Sequence, residues 1–224
     1  RVSPGEYPFD GISAGIPEEF QRYTHVVNFN DLDSVEYVLK RYPVGCIITE
    51  PILQNIGVVK PQEGYLQGLR DLADEHGFLL IFDEVKTGFR HAIGGYQSIC
   101  GVIPDLSTFG KAVANGYPLG VIGGKKEYMS YFAHPDPARK VLIAGTYNAF
   151  PLTTVAAIAT LKKLSSPEHD VYSHVYQLGQ MLEDGLNSIF SQYDLKFHVA
   201  RQGSAFCVYF MDHAPVDYHD ILYF

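Results

Sequence analysis

A carboxylate and an amine stand at the ends of two apolar runs in this sequence. Asp83 follows Phe78-Leu-Leu-Ile-Phe82, and Lys111 closes Ser107-Thr-Phe-Gly110. An amine condenses with an aldehyde. An anion beside a pyridine nitrogen keeps that nitrogen protonated, so that the ring draws electrons from an attached substrate. Pyridoxal 5'-phosphate is the cofactor that asks a protein for both groups. Lys111 is then the candidate for the covalent amine and for later proton movement, a role that burial and a neighbouring cation would serve by lowering its pKa. Asp83, at a buried strand end, is the candidate partner for the ring nitrogen, where a low dielectric strengthens the attraction. Val85 lies on the same side of an extended chain as Asp83 and is placed to cover one ring face. Gly145-Thr146 offers a phosphate a hydroxyl and a backbone N–H.

Two other readings stand beside this one. An apolar strand ending in Asp-Glu is also the form of a Walker B segment, whose carboxylate manages magnesium in an NTPase. That reading asks for a G-x-x-x-x-G-K-[ST] loop. Here Gly110-Lys111 is followed by Ala112, and Asp105 stands where the first glycine belongs. The plainest reading makes Lys111 a surface lysine and Asp83 a helix cap, since most charged residues are solvated. It accounts for each residue separately but not for their joint setting.

A parallel sheet is what would position the pair. A run of strand length that is apolar throughout reads as a strand buried on both faces, and open α/β sheets bind ligands beyond the carboxyl ends of their strands. The stretch up to about Gly15 reads as loop, and Pro17 opens a short helix. His25 to Asn30 alternates like a strand, and Asp31 to Ser34 caps a helix over 35–41. Val44 to Thr49 is predicted as a buried strand that ends at Glu50-Pro51, with a loop from Gln54 to Glu63 behind it. Leu66, Leu69, Leu72 and Ala73 share one face of a helix over Tyr65–His76, stopped by Gly77. Strand, helix and strand in that order indicate a parallel crossover unit and an α/β fold.

Further on, short strands are predicted over 106–109 and 119–123, with helices over 125–132, 151–164 and 170–191. Two strands, 195–200 and 205–211, close the chain as an antiparallel pair joined at Gln202-Gly-Ser. A boundary near Ser165 divides residues 1–165, part of a large domain with a mostly parallel sheet and helices on both faces, from 166–224, the start of a smaller α+β domain.

The 224 residues carry a net charge of −8 and 46% apolar residues, with no basic patch and no apolar run of membrane-spanning length. This gives no electrostatic case for nucleic acid or an anionic membrane as partner. The 3 cysteines have no metal-ligand spacing and read as thiols of a reducing compartment, the cytoplasm. Asp212-His213, Asp217 and His219-Asp220 read as an acidic loop, so no metal is expected.

The runs Asp83-Glu-Val-Lys-Thr-Gly-Phe-Arg90, Pro104-Asp-Leu-Ser-Thr-Phe-Gly-Lys111, Gly116-Tyr-Pro-Leu-Gly120 and Gly145-Thr146-Tyr resemble, in this order, those of class III aminotransferases. The glutamate-1-semialdehyde 2,1-aminomutase branch is the most similar, and Ser13-Ala-Gly-Ile-Pro-Glu-Glu, Asn30-Asp-Leu, Glu50-Pro51 and Gly203-Ser204 fit the same pattern. The resemblance implies a fold-type I pyridoxal phosphate enzyme that moves an amino group on a small amino acid or amino aldehyde. It also implies a Schiff base on Lys111, Asp83 on the ring nitrogen and Val85 on the ring face. Glu50 and Asn55 would lie near the cofactor's phenolic edge and the substrate. Thr146 would reach the cofactor phosphate of the neighbouring subunit, which makes the enzyme a homodimer with a shared site. A non-catalytic relative serving as a dimeric scaffold is the alternative within this fold.

The family's upstream phosphate-binding turn and its second ring cover do not occur, so the chain reads as a fragment lacking the N-terminal portion and the C-terminal end. Where the family has Gly-Asn-Pro after its threonine turn, this chain has Ala149-Phe150-Pro151, which either alters the packing there or is neutral. Expressed alone, the segment is expected to be poorly soluble, with the strand over 78–82 short of sheet neighbours, and to bind the cofactor weakly.

Overall fold

Leu66, Leu69 and Ala73 recur at helical spacing, and the helix they specify turns them inward, while Gly77 ends it in a left-handed conformation (φ 75°). The structure, a computed structural model, describes residues 14–222; the loop reading of the first residues falls mostly outside that range. The elements are α1 (Glu18–Gln21), α2 (Leu32–Leu39), β1 (Cys46–Thr49), α3 (Tyr65–His76), β2 (Leu79–Glu84), α4 (Gln97–Cys100), β3 (Leu106–Phe109), β4 (Val121–Gly124), α5 (Lys126–Met129), α6 (Pro151–Leu164), α7 (Val171–Phe190), β5 (His198–Gln202), β6 (Ala205–Tyr209) and α8 (His219–Leu222). Single 3₁₀ turns span Lys111–Ala114 and Ser130–Ala133.

The sheet runs β1-β2-β3-β4. β1, β2 and β3 are parallel, and β4 returns antiparallel to β3. The crossover from β1 to β2 passes through α3, as the strand–helix–strand order predicts. Leu80, Phe82, Leu69, Ile52 and Val59 are fully buried between sheet and helix, each contributing about 1.5–3 kcal/mol. Ala200 and Tyr209 of the β5–β6 hairpin, and Met211 just after it, join the same core. That hairpin is antiparallel, and its turn glycine, Gly203 (φ 59°), leaves no room for a side chain on the facing Gly179 of α7.

Four local expectations differ from the fold. Residues 25–30 form no strand, because Asn30 takes a left-handed conformation (φ 63°). Its amide donates to the carbonyls of Lys60 and Val216 and accepts from the Gln62 N–H, so distant backbone decides its place. β1 is not buried; among the described residues it pairs only with β2, and Ile48 is 60% exposed. β2, by contrast, has a neighbour on each side, so the strand predicted to lack partners is the central one of the parallel set. The strand over 119–123 moves to Val121–Gly124, because Gly124 admits the Asp105 carbonyl and Leu106 at close range.

Asp105 locks the entry to β3. Its carboxylate is buried and accepts from Lys125 Nζ at 2.6 Å, Leu80 N at 2.8 Å and an Arg70 guanidinium nitrogen at 2.9 Å. Burial pushes the carboxyl up, but the Lys125, Leu80 and Arg70 partners together hold it below its ordinary value. A lowered folded pKa stabilises at pH above the unfolded value, and that contribution is lost as pH falls through the folded one. Asp105→Ala is expected to cost about 3–5 kcal/mol by leaving two cations without their buried partner. Denaturant titration checks this. The wild type should approach the mutant's stability only in acid, and a loss within about 0.5 kcal/mol would make the cluster incidental.

Candidate active site

The pleat of β2 separates the two carboxylates at its end. Alternation sends Phe82 and Glu84 to the buried face and Asp83 to the other. The expectation that Asp83 is the buried carboxylate therefore needs correction: Asp83 is half-buried and Glu84 is the enclosed one. Glu84 accepts from Thr87 Oγ1 (2.9 Å), Tyr96 N (2.6 Å), Gln97 N (3.1 Å) and Gln97 Nε2 (3.3 Å). Gly95 (φ 73°) stands against its carboxylate where a Cβ would collide. Glu84 thus fastens the loop after β2 to the start of α4, a structural task.

Asp83 stands beside Thr108 in the register of β2 and β3. Its Oδ1 accepts from Val85 N at 3.0 Å and from Thr108 Oγ1 at 3.4 Å. Among the described residues, Oδ2 receives no hydrogen bond. The strand ends lie level, since Glu84 pairs with Phe109, so Gly110-Lys111 leaves the sheet beside Val85. A Cβ on Gly110 would stand 3.3 Å from Val85 Cγ1. Lys111 begins its 3₁₀ turn in a left-handed conformation (φ 45°), where glycine would be unstrained. Val113 and Ala114 of that turn are buried against Ala157 of α6, which holds the strained backbone in place. The Lys111 side chain is exposed and makes no ion pair among the described residues, so neighbouring residues do not supply the burial its chemistry would use. It opens on a groove of ≈ 540 Å³ lined also by Arg90, Asn115, Tyr117 and Leu119.

Glu50 follows β1 and completes the cluster. Burial pushes its carboxyl above the ordinary range and Asp83 adds to this, while the Gln54 N–H, Lys86 and Lys111 oppose it. Glu50, Asp83, Lys86 and Lys111 therefore share one electrostatic neighbourhood at the carboxyl ends of three parallel strands. Asn55 is exposed on the bend between the bridged residues Leu53 and Val59. Thr146 is exposed in the turn before α6, and no hydrogen bond or ion pair among the described residues ties it or Asn55 to the cluster. Phe150 packs edge-on against Tyr147 and lies just before Pro151, the first residue of α6. Lys86 escaped the sequence reading although it sits in the quoted Asp83–Arg90 run. Gln54 and His91 escaped it as well, being 37 residues apart with no motif to join them.

A mostly parallel sheet flanked by helices, with a carboxylate and a lysine at neighbouring strand ends, is the large-domain architecture of fold-type I enzymes. The chain belongs to the class-III aminotransferase family, whose model matches residues 12–222. It is 41% identical over 209 residues to glutamate-1-semialdehyde 2,1-aminomutase 2 of Lachnoclostridium phytofermentans, covering 92% of this chain and 48% of that protein. The fold superposes with TM-score 0.85 on an omega-transaminase from Sphaerobacter thermophilus, at 30% identity over 94% of this chain and 48% of that one. It superposes with TM-score 0.80 on a glutamate-1-semialdehyde-aminomutase from Pseudomonas aeruginosa in complex with PMP, at 32% identity over 93% of this chain and 48% of that one. The chain spans about half the length of the curated relatives it matches.

Proposed function

We propose that the protein carries out pyridoxal-5'-phosphate-dependent amino-group transfer, as an aminotransferase or an aminomutase, on a small amino acid or amino aldehyde. The observation that carries the reading is the placement of Asp83 and Lys111 at adjacent strand ends, where among the described residues neither Asp83 Oδ2 nor Lys111 Nζ has a hydrogen bond or ion pair. The residues fit the cofactor. Asp83 would offer Oδ2 to a pyridinium N–H, Lys111 an amine with no ion pair among the described residues, and Val85 stands beside Gly110. When bound, the cofactor supplies an aldehyde and a ring that accepts electrons.

In this reading Asp83 Oδ2 holds the ring-nitrogen proton by its charge, while its Oδ1 stays fixed by Val85 N and Thr108. Lys111 Nζ would hold the aldehyde carbon until a substrate amine displaces it. The freed Lys111 amine would then take a proton from the substrate carbon that bears the amine and return it elsewhere on the bound molecule. Val85 would pack the ring face, and Glu50 and Asn55 would face the phenolic edge and the substrate. Thr146 serves the phosphate in the partner copy of a homodimer. An exposed apolar face supports that pairing, since Leu142 is 79% and Val155 of α6 63% exposed on either side of the Thr146 turn.

The division into a large-domain part, 1–165, and the start of a small domain, 166–224, belongs to the same reading. So does a cytoplasmic setting, supported by three free thiols. No helix among the described residues is long and apolar enough to cross a membrane. The test is optical. The protein mixed with pyridoxal 5'-phosphate is expected to gain a visible band that an added amino-group donor bleaches, whereas a scaffold or an NTPase stays colourless.

A further inference from the structure

Glu50 and Lys86 meet on one backbone unit, and that unit is anchored from behind. The Gln54 N–H donates to Glu50 Oε2 at 3.1 Å, and the Gln54 carbonyl accepts from Lys86 Nζ at 3.2 Å. The Gln54 side chain runs the other way, with its Nε2 2.8 Å from Nε2 of His91. His91 is 2% exposed, and its buried Nδ1 has no hydrogen-bond partner among the described residues. The ring is confined by Tyr96, edge-on at 6.4 Å, and by the β5–β6 turn, where a Cβ on Gly203 would stand 3.2 Å from Nδ1.

Burial, and secondarily Arg90, pushes the His91 imidazolium down to about 4, so the ring is neutral near pH 7. A neutral imidazole has one N–H. With Gln54 Nε2 as donor, His91 Nε2 accepts and Nδ1 carries the proton; with the amide turned round, Nε2 donates and Nδ1 is left an acceptor. In both arrangements one ring nitrogen reaches Gln54 and the other goes unsatisfied. An apolar side chain filling the same space would remove the unsatisfied ring nitrogen but would leave the Gln54 amide without this partner. What the imidazole adds is its hold on Gln54.

We propose that His91 and Gln54 are positioning residues that hold Glu50 and Lys86 in place beside Asp83 and Lys111. The proposal rests on the reading above only for the statement that this cluster is an active site.

Hydrogen exchange on the cofactor-free protein tests it. The Gln54 N–H is the atom that Glu50 receives, and the Val59 N–H, bonded to Leu53 O at 3.1 Å in the same loop, serves as internal control. In His91→Leu, exchange of the Gln54 N–H is expected to speed up by about tenfold or more while Val59 and the core amides keep their protection. His91→Gln can still reach Gln54 and is expected to restore slow exchange. Unchanged exchange at Gln54 in His91→Leu overturns the proposal, as does an equal acceleration at Gln54 and Val59. If His91→Leu does not fold, Gln54→Leu breaks the same bond from the loop side, and the same comparison of its residue 54 and Val59 amides decides. The readout needs no cofactor. Local acceleration in a protein that stays colourless would keep the tie and overturn only the amino-transfer reading. No acceleration in a protein that colours would do the reverse.

Discussion

Lys111→Ala is expected to remove the visible band of the cofactor-loaded protein and to lower turnover by about 10³-fold or more, within the range that positioned acid–base groups contribute. Cofactor can still bind through its phosphate and through Asp83, so the expected spectrum is that of the free aldehyde. Stability should change by less than about 1 kcal/mol, because the side chain is exposed and has no ion pair within the described residues. Lys111→Gly sharpens the point. At φ 45° a glycine relieves a strain of about 1–3 kcal/mol, so this variant should be the more stable of the two and equally inactive. The lysine would then be shown to occupy a place its backbone disfavours for the sake of its amine. Near-normal turnover in either variant would sink the role given to Lys111.

Asp83→Asn is expected to lower turnover by about 10²–10³-fold, the scale seen when one preorganised electrostatic partner is removed. Asn keeps the size of the side chain and an oxygen for the Val85 N–H and Thr108 hydroxyl, now at 3.0 and 3.4 Å from Oδ1. It cannot hold a positive charge on the ring nitrogen. Melting should therefore move little while the chemical step slows. Matched losses in melting and in turnover would make Asp83 a structural residue like its neighbour Glu84.

The separation of those neighbours marks the limit of what the sequence alone reveals. The apolar run before Asp83 announces a central parallel strand, and its period of two places the carboxylates on opposite faces. It does not say which face is closed. That depends on Thr87, Tyr96 and Gln97 folding back over Glu84, which no local pattern announces. The helix over 65–76 and its glycine stop were legible because propensity, amphipathic spacing and capping agree there. The alternation at 25–30 misled, since the Asn30 amide answers to carbonyls 30 and 186 residues away. Lys111 and Asp83 could be singled out from their strand ends. The clamp of Gln54 on Glu50 and Lys86, with its buried His91 anchor, exists only once the β1 and β2 loops are side by side.

Reduction of the cofactor-loaded protein with borohydride, followed by peptide mapping, tests the central claim most directly. Borohydride converts a lysine–cofactor linkage into a stable secondary amine, so the lysine that carries the cofactor keeps its mass. The expected result is one pyridoxyl group on the peptide containing Lys111. A label on Lys86, or none on either lysine in a protein that binds the cofactor tightly, would contradict it.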